Sequence, residues 1–116
     1  MTDVELHVSK VCPAAPGGRF KRFGPGSGEE FRDDHLLPAL KKAGDGRVTV
    51  ILDSRRGYGS SFLEEAFGGL IREKNFTAGH LEKHLIILGD GSLNQVAAER
   101  ALEFIKKAVA ALPQVS

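Results

Sequence analysis

Residues 47–71 constrain the fold of this chain more than any other stretch. Arg47-Val48-Thr49-Val50-Ile51-Leu52-Asp53 is β-branched or apolar at nearly every position, which is how a central strand covered on both faces reads. A glycine-rich turn follows, Ser54-Arg55-Arg56-Gly57-Tyr58-Gly59, and then Ser60-Ser61 opens a helical pattern that runs to about Lys74. Phe62, Ala66, Phe67, Leu70 and Ile71 recur along one side of that helix. His84-Leu85-Ile86-Ile87-Leu88 reads as a second fully buried strand, ended by Gly89-Asp90-Gly91, and a last helix extends from Ser92 to about Leu112. Its apolar positions are Leu93, Val96, Ala97, Ala101, Phe104, Ile105, Ala108 and Val109. Strands alternating with helices in this way require right-handed crossovers and parallel pairing.

Upstream, Val4-Glu5-Leu6-His7-Val8 alternates apolar and polar residues, the pattern of a strand with one wet face. Pro13, Pro16, Gly17 and Gly18 make a loop, after which Arg19 to Phe23 is expected to return as a short antiparallel strand. Ser27-Gly28-Glu29-Glu30 matches a capping box at a helix start. Phe31, His35, Leu36, Leu37 and Leu40 supply that helix with a buried face, and Pro38 is expected to kink or split it. Ser61 with Glu64, and Ser92 with Gln95, repeat the capping-box spacing. The predicted fold is one α/β domain over residues 1–116: a small mixed β-sheet, with an antiparallel opening hairpin plus parallel strands, covered by about three helices.

With 116 residues the chain can bury one modest core. A net charge of +1 with interspersed acids and bases gives no strong pull toward nucleic acid or a membrane surface. The single cysteine, Cys12, excludes an internal disulfide and fits a reducing compartment. No apolar run approaches the ~18–20 residues that cross a bilayer, and the N-terminus lacks a basic region followed by an apolar one. A cytoplasmic location is expected.

The helix opening at Ser60 and Ser61 is the first place to look for function. Such an opening presents unpaired backbone N–H groups and the positive end of the helix dipole, so it can hold an anion or a phosphorylated side chain. Arg55 and Arg56 stand on the same loop, and two guanidinium groups there could pair with a phosphate or an acidic partner. Against this, serine at a helix start is often there for capping alone. No Gly-x-Ser-x-Gly elbow and no obvious histidine base accompany these serines, so no catalytic residue is assigned. The glycines match neither the dinucleotide nor the phosphate-loop fingerprint. Gly68-Gly69 inside a helix points to close approach of that helix to the sheet. Asp53 and Asp90 end the buried strands, the edge where open α/β sheets bind ligands, but no third metal ligand is evident beside them. His80 and His84 lack the zinc-protease spacing of Glu, and His84 is expected to begin a strand. Arg19-Phe20-Lys21-Arg22-Phe23 mixes basic and aromatic residues, which suits an amphipathic edge strand. No cofactor and no metal is expected.

Gly24-Pro25-Gly26-Ser27-Gly28-Glu29-Glu30-Phe31-Arg32, the strand Val48–Asp53, and Ser60-Ser61-Phe62-Leu63-Glu64-Glu65-Ala66-Phe67-Gly68 together resemble the STAS-like domains of unknown function, which are related to anti-sigma-factor antagonists. The resemblance covers roughly residues 17–107. It implies a mixed sheet with helices packed against it, no catalytic chemistry, and a bacterial or archaeal regulatory role. In anti-sigma antagonists a serine at this helix start is phosphorylated by an ATPase-type kinase, and the unmodified form binds that partner. The matching position is Ser60, with Ser61 following it; Gly59 stands where those antagonists carry Asp. The resemblance thus implies a protein partner of the histidine-kinase-type ATPase class; the candidate partner-binding residues beside the serines are Tyr58, Gly59, Phe62, Leu63, Arg55 and Arg56. The alternative is a small-ligand or anion-binding protein, or a small enzyme, built on the strand edge around Asp53 and Asp90. Self-association through an edge strand or the last helix is left open.

Overall fold

The computed structural model describes residues 2–113. Its sheet has three strands in the order β1 (Val4–His7), β2 (Val48–Leu52), β3 (Leu85–Gly89), and both pairings are parallel. Five helices accompany them. A single turn, α1 (Val8–Val11), follows β1 directly. Helix α2 spans 28–43 and helix α3 spans 60–72, each continuous through a widened π-type turn, Arg32–Leu36 in α2 and Glu64–Gly68 in α3. A short α4 (Ala78–His84) precedes β3, and the long α5 (Ser92–Ala110) closes the fold.

The opening hairpin does not form. Arg19–Phe23 is a loop whose end, Lys21–Phe23, is one 3₁₀ turn. Phe20 and Phe23, three residues apart, pack with their rings tilted by 59° and centroids 5.6 Å from each other, and the Arg22 guanidinium lies 4.9 and 5.0 Å from their centres. That spacing suits a tight turn, not the alternation of a strand. Arg19 is drawn off to the carboxylates of Glu64 and Glu65 on α3. The sheet is therefore all parallel.

The sheet is also covered on one face only, where burial of both central runs on both faces was expected. Leu6, Val48, Val50, Leu52, Leu85 and Ile87 are buried in the core, whereas Thr49, Ile51 and Ile86 are half-buried and Leu88 is 51% exposed. The strand order follows the chain order, so successive right-handed crossovers place their helices on the same side. The core lies between that face and α2, α3 and α5, and contains Phe31, Leu36, Phe62, Phe67, Leu70 and Ile105.

Side-chain caps set the starts of two helices, Ser27 for α2 and Thr77 for α4. Ser27 Oγ accepts from the Glu30 N–H at 3.0 Å, and Glu30 Oε1 accepts from the Gly26 N–H at 3.0 Å, a capping box shifted by one residue on its return arm. The other two capping boxes are absent: the caps are Gly59 for α3 and Gly91 for α5, neither with a side-chain bond. Pro38 neither splits nor ends α2. The π turn sits immediately before it, and the Leu37 N–H reaches back five residues to the Arg32 carbonyl. Widening the turn relieves the clash that the ring would make with a carbonyl four residues back. His84 ends α4 and does not begin a strand, so His80 and His84 share a helical face with ring centroids 4.5 Å apart.

Candidate functional site

The chain leaves β2 at Leu52 and re-enters a helix at Ser60, so the loop 53–59 lies at the C-terminal edge of the parallel sheet. Every turn of this loop is pinned. The Tyr58 hydroxyl accepts from the Asp53 N–H at 3.3 Å, the Ser54 hydroxyl accepts from the Arg56 N–H at 3.1 Å, and the Ser54 carbonyl accepts from Asn94 Nδ2 at 3.0 Å. Gly57 has φ +74° and sits over Leu93; a side chain there would be strained in backbone conformation and would crowd Leu93 Cδ2 at 3.2 Å. Burial pushes the Tyr58 phenol up to about 12, so it stays a neutral hydroxyl. Its ring lies 5.3 Å from that of Phe62, which in turn faces Phe31 at 6.2 Å.

On this foundation Ser60 and Ser61 are both exposed at the first positions of α3. The Leu63 N–H bonds to the Gly59 carbonyl at 3.2 Å, and no side chain caps the turn. Gly59, Arg55 and Arg56 are exposed too, with the Arg56 guanidinium donating to the Ala15 carbonyl at 3.2 Å. The expected partner-facing residues Tyr58, Phe62 and Leu63 are not on this surface. They are buried, at 8%, 1% and 0% exposure, because the apolar side of α3 begins at Phe62 and the loop needs Tyr58 as its anchor. What faces outward is polar: two hydroxyls, two arginines and a glycine.

Asp53 and Asp90 do not form a common cation site. The Asp53 carboxylate accepts from Ser9 N–H at 2.9 Å and Ser9 Oγ at 2.8 Å, which ties the first turn of α1 to the end of β2. Asp90 extends the strand pairing, its N–H bonded to the Leu52 carbonyl at 2.9 Å. Sequence reasoning missed Asn94, whose amide nitrogen bridges the Ser54 and Asp90 carbonyls, each at 3.0 Å, across the two strand ends. Asn94, Ala97, Ala98, Ala101 and Ile105 form the buried stripe of α5, while Leu93 and Val96, which sequence reasoning placed on the apolar side, are 59% and 54% exposed.

Behind the serines, α2 and α3 meet through charges. Arg32 Nη1 lies 2.5 Å from Glu65 Oε2, both side chains 4% exposed, and Arg72 and Arg19 bridge Glu64 and Glu65 from either side. Burial raises the cost of charging Glu64, yet Arg72 and Arg19 outweigh it and hold its carboxyl below the ordinary range. Asp33 is held low in the same way by Arg32. Gly69 leaves the space that the Arg32 guanidinium fills, since a Cβ there would sit 2.3 Å from Nη1. Gly69 thus admits an arginine from α2, while a Cβ on Gly68 would meet Glu64 Oε2 at 2.6 Å and the Phe104 carbonyl of α5 at 3.4 Å; neither glycine serves an approach to the sheet. Gly28 serves the same crossing, 2.5 Å in Cβ terms from the Phe62 carbonyl.

A small α/β domain with a serine-opened helix after its central strand is consistent with a STAS-like protein, although the three strands are all parallel where the resemblance implies a mixed sheet. The family model described as STAS-like domain of unknown function (DUF4325) matches residues 27–92, more than half of the chain, and the protein belongs to that family. No curated protein and no solved structure matches it. Among the described residues, no helix is long and apolar enough to cross a membrane.

Proposed function

We propose that the domain is a non-catalytic regulatory module, acting in the cytoplasm, that docks on a protein partner through the start of α3 and is switched by phosphorylation of Ser60. The observation that carries this reading is the pairing of an exposed, uncapped Ser60–Ser61 helix start with a loop anchored underneath by Tyr58 and Phe62. A phosphate on Ser60 adds about −1.5 to −2 charge. The open N–H groups of the first turn and the exposed Arg55 and Arg56 would steady it. Because the loop is pinned at Asp53, Ser54 and Tyr58, the modification changes charge at the surface without requiring the loop to unfold. The resemblance to anti-sigma antagonists supports an ATPase of the histidine-kinase type as both partner and modifying enzyme. The strand-edge ligand reading draws no support from an Asp53 whose two oxygens are engaged by Ser9.

The test has two parts. Intact-mass analysis of protein from its native cells should show a phosphorylated fraction that maps to Ser60. Ser60→Asp should weaken binding to the ATPase-type partner by at least about tenfold, equivalent to about 1.4 kcal/mol, while Ser60→Ala binds like the wild type and both variants keep the wild-type melting temperature. Equal binding by wild type and Ser60→Asp would remove the reading.

A further inference from the structure

Cys12, Glu30 and His35 converge where the loop after α1 meets the start of α2, and the switch at Ser60 uses none of them. A sulfur, a carboxylate oxygen and an imidazole nitrogen from the three residues all lie within 4.8 Å of one another. Cys12 Sγ donates to Glu30 Oε2 at 3.4 Å. A tetrahedral zinc-type ion with bonds of about 2.0–2.3 Å holds its ligand atoms roughly 3.3–3.8 Å apart, so the observed cluster needs shifts of about 1 Å to close on one.

The spacing of these residues hides the site in the sequence. Glu30 and His35 are five apart, which on a regular α-helix separates them by about 140° around the axis. The π turn Arg32–Leu36 begins two residues after Glu30 and contains His35, and its five-residue hydrogen bond widens the helix and carries His35 round toward Glu30. Each donor is already fixed. Glu30 Oε1 is held by the Gly26 N–H at 3.0 Å, which leaves Oε2 turned to the sulfur. The His35 ring stacks against Phe31 at 6.3 Å with an interplanar angle of 28°. Cys12 is 1% exposed and tied at both ends of its peptide unit, its N–H to the Val8 carbonyl and its carbonyl to the Ala15 N–H, each at 2.9 Å. A backbone donor on the far oxygen of a ligating carboxylate is the outer-shell support that metal sites use to aim a ligand. Glu30 and His35 are both half-exposed, so the cluster is reachable from solvent.

The geometry points to a divalent transition-metal site of the zinc type, with the Cys12 thiolate, the Glu30 carboxylate and the His35 imidazole as ligands and a fourth position open to water or to a donor atom of a bound molecule. On binding, the thiol proton now directed at Glu30 passes to solvent and the sulfur becomes the anionic ligand.

Cobalt(II) and zinc(II) titrations of the purified full chain test this. Cobalt is expected to bind at a single site and produce thiolate-to-metal charge-transfer absorption in the near ultraviolet, which zinc then abolishes. Cys12→Ala should remove the absorption, and His35→Gln and Glu30→Gln should each weaken zinc binding by at least about tenfold. His80→Ala, which breaks the surface pair His80–His84, should change neither. Circular dichroism melts of the variants establish that each is folded, and His35 and Glu30 keep the test decisive should Cys12→Ala lose its fold. Cobalt binding without a sulfur band, or affinity that survives His35→Gln and disappears in His80→Ala, would overturn the assignment.

Discussion

Arg32 is 3% exposed between α2 and α3, with its Nη1 2.5 Å from Glu65 Oε2 and 3.0 Å from the Glu65 carbonyl, and its Nε 2.8 Å from Asp33. Removing the guanidinium alone leaves a buried carboxylate that only Arg72 and Arg19, at 3.1 and 3.3 Å, still approach. Breaking one half of a buried pair costs about 3–5 kcal/mol, whereas replacing both halves by apolar groups of similar volume is often close to neutral. Arg32→Met is therefore expected to lose roughly 3 kcal/mol of unfolding free energy, the low end of that range because two arginines remain. The double variant Arg32→Met/Glu65→Met should recover part of the loss, as read from urea midpoints. Equal losses for the single and double variants would mean that the pair is not coupled. The same site accounts for Gly69: alanine in a helix interior is normally better than glycine by about 1 kcal/mol, but here a Cβ would displace the guanidinium that the helix is built to admit.

Strands and helices were legible in the chain to different degrees, for physical reasons. The runs at β2 and β3 and the helix start at Ser60 could be read because β-branched residues, glycines and serines act through local sterics and caps. One-sided burial could not, because Val48–Leu52 alternates buried and half-buried positions although every side chain in it is apolar or β-branched. Which face a strand buries depends on where the crossovers put the helices. Likewise α5 turns Asn94 inward and Leu93 outward, since Asn94 has the carbonyls of Ser54 and Asp90 to meet. The two π turns were illegible as well; one sits directly before Pro38, and the other contains Glu65, the partner of Arg32. At the serine site the helix start was readable and the burial of Tyr58 and Leu63 was not. The alternation has a direct consequence. Ile87 is 7% exposed and its neighbour Leu88 is 51% exposed, so Ile87→Ala should cost about 2–4 kcal/mol and Leu88→Ala under about 1 kcal/mol in chemical denaturation. Similar costs at both positions would show that the second face of the sheet is covered in solution.

The long-range order of the fold depends on ions as well as apolar packing. Arg19 from the loop, Arg32 and Asp33 from α2, and Glu64, Glu65 and Arg72 from α3 form one connected set, with Lys74 beyond α3 reaching Asp33 at 3.7 Å. It joins the segment before α2 to the two helices that carry the core, so its protonation state bears on the whole domain. Glu64 and Asp33 are both held below their ordinary ranges, by Arg72 and Arg19 in one case and by Arg32 in the other, each against the cost of burial. A carboxyl whose folded value is depressed binds protons more readily when the chain is unfolded. Its contribution is complete above the unfolded values, about 4.3 for Glu and about 3.9 for Asp, and is lost as the pH falls through the lower folded values. The part of the stability that these two carboxyls supply should therefore be flat from neutral pH down to about 5 and drop below about 4. Glu64→Gln, which keeps the shape and removes the charge, should be less stable than the wild type at pH 7. The difference should narrow as the pH falls below about 4, because the wild-type carboxyl is then losing the same charge. Urea midpoints of both proteins at pH 7, 5, 4 and 3 decide it. A gap of constant size across that series would mean that Glu64 acts through packing alone and that the arginines around it do not set its proton affinity.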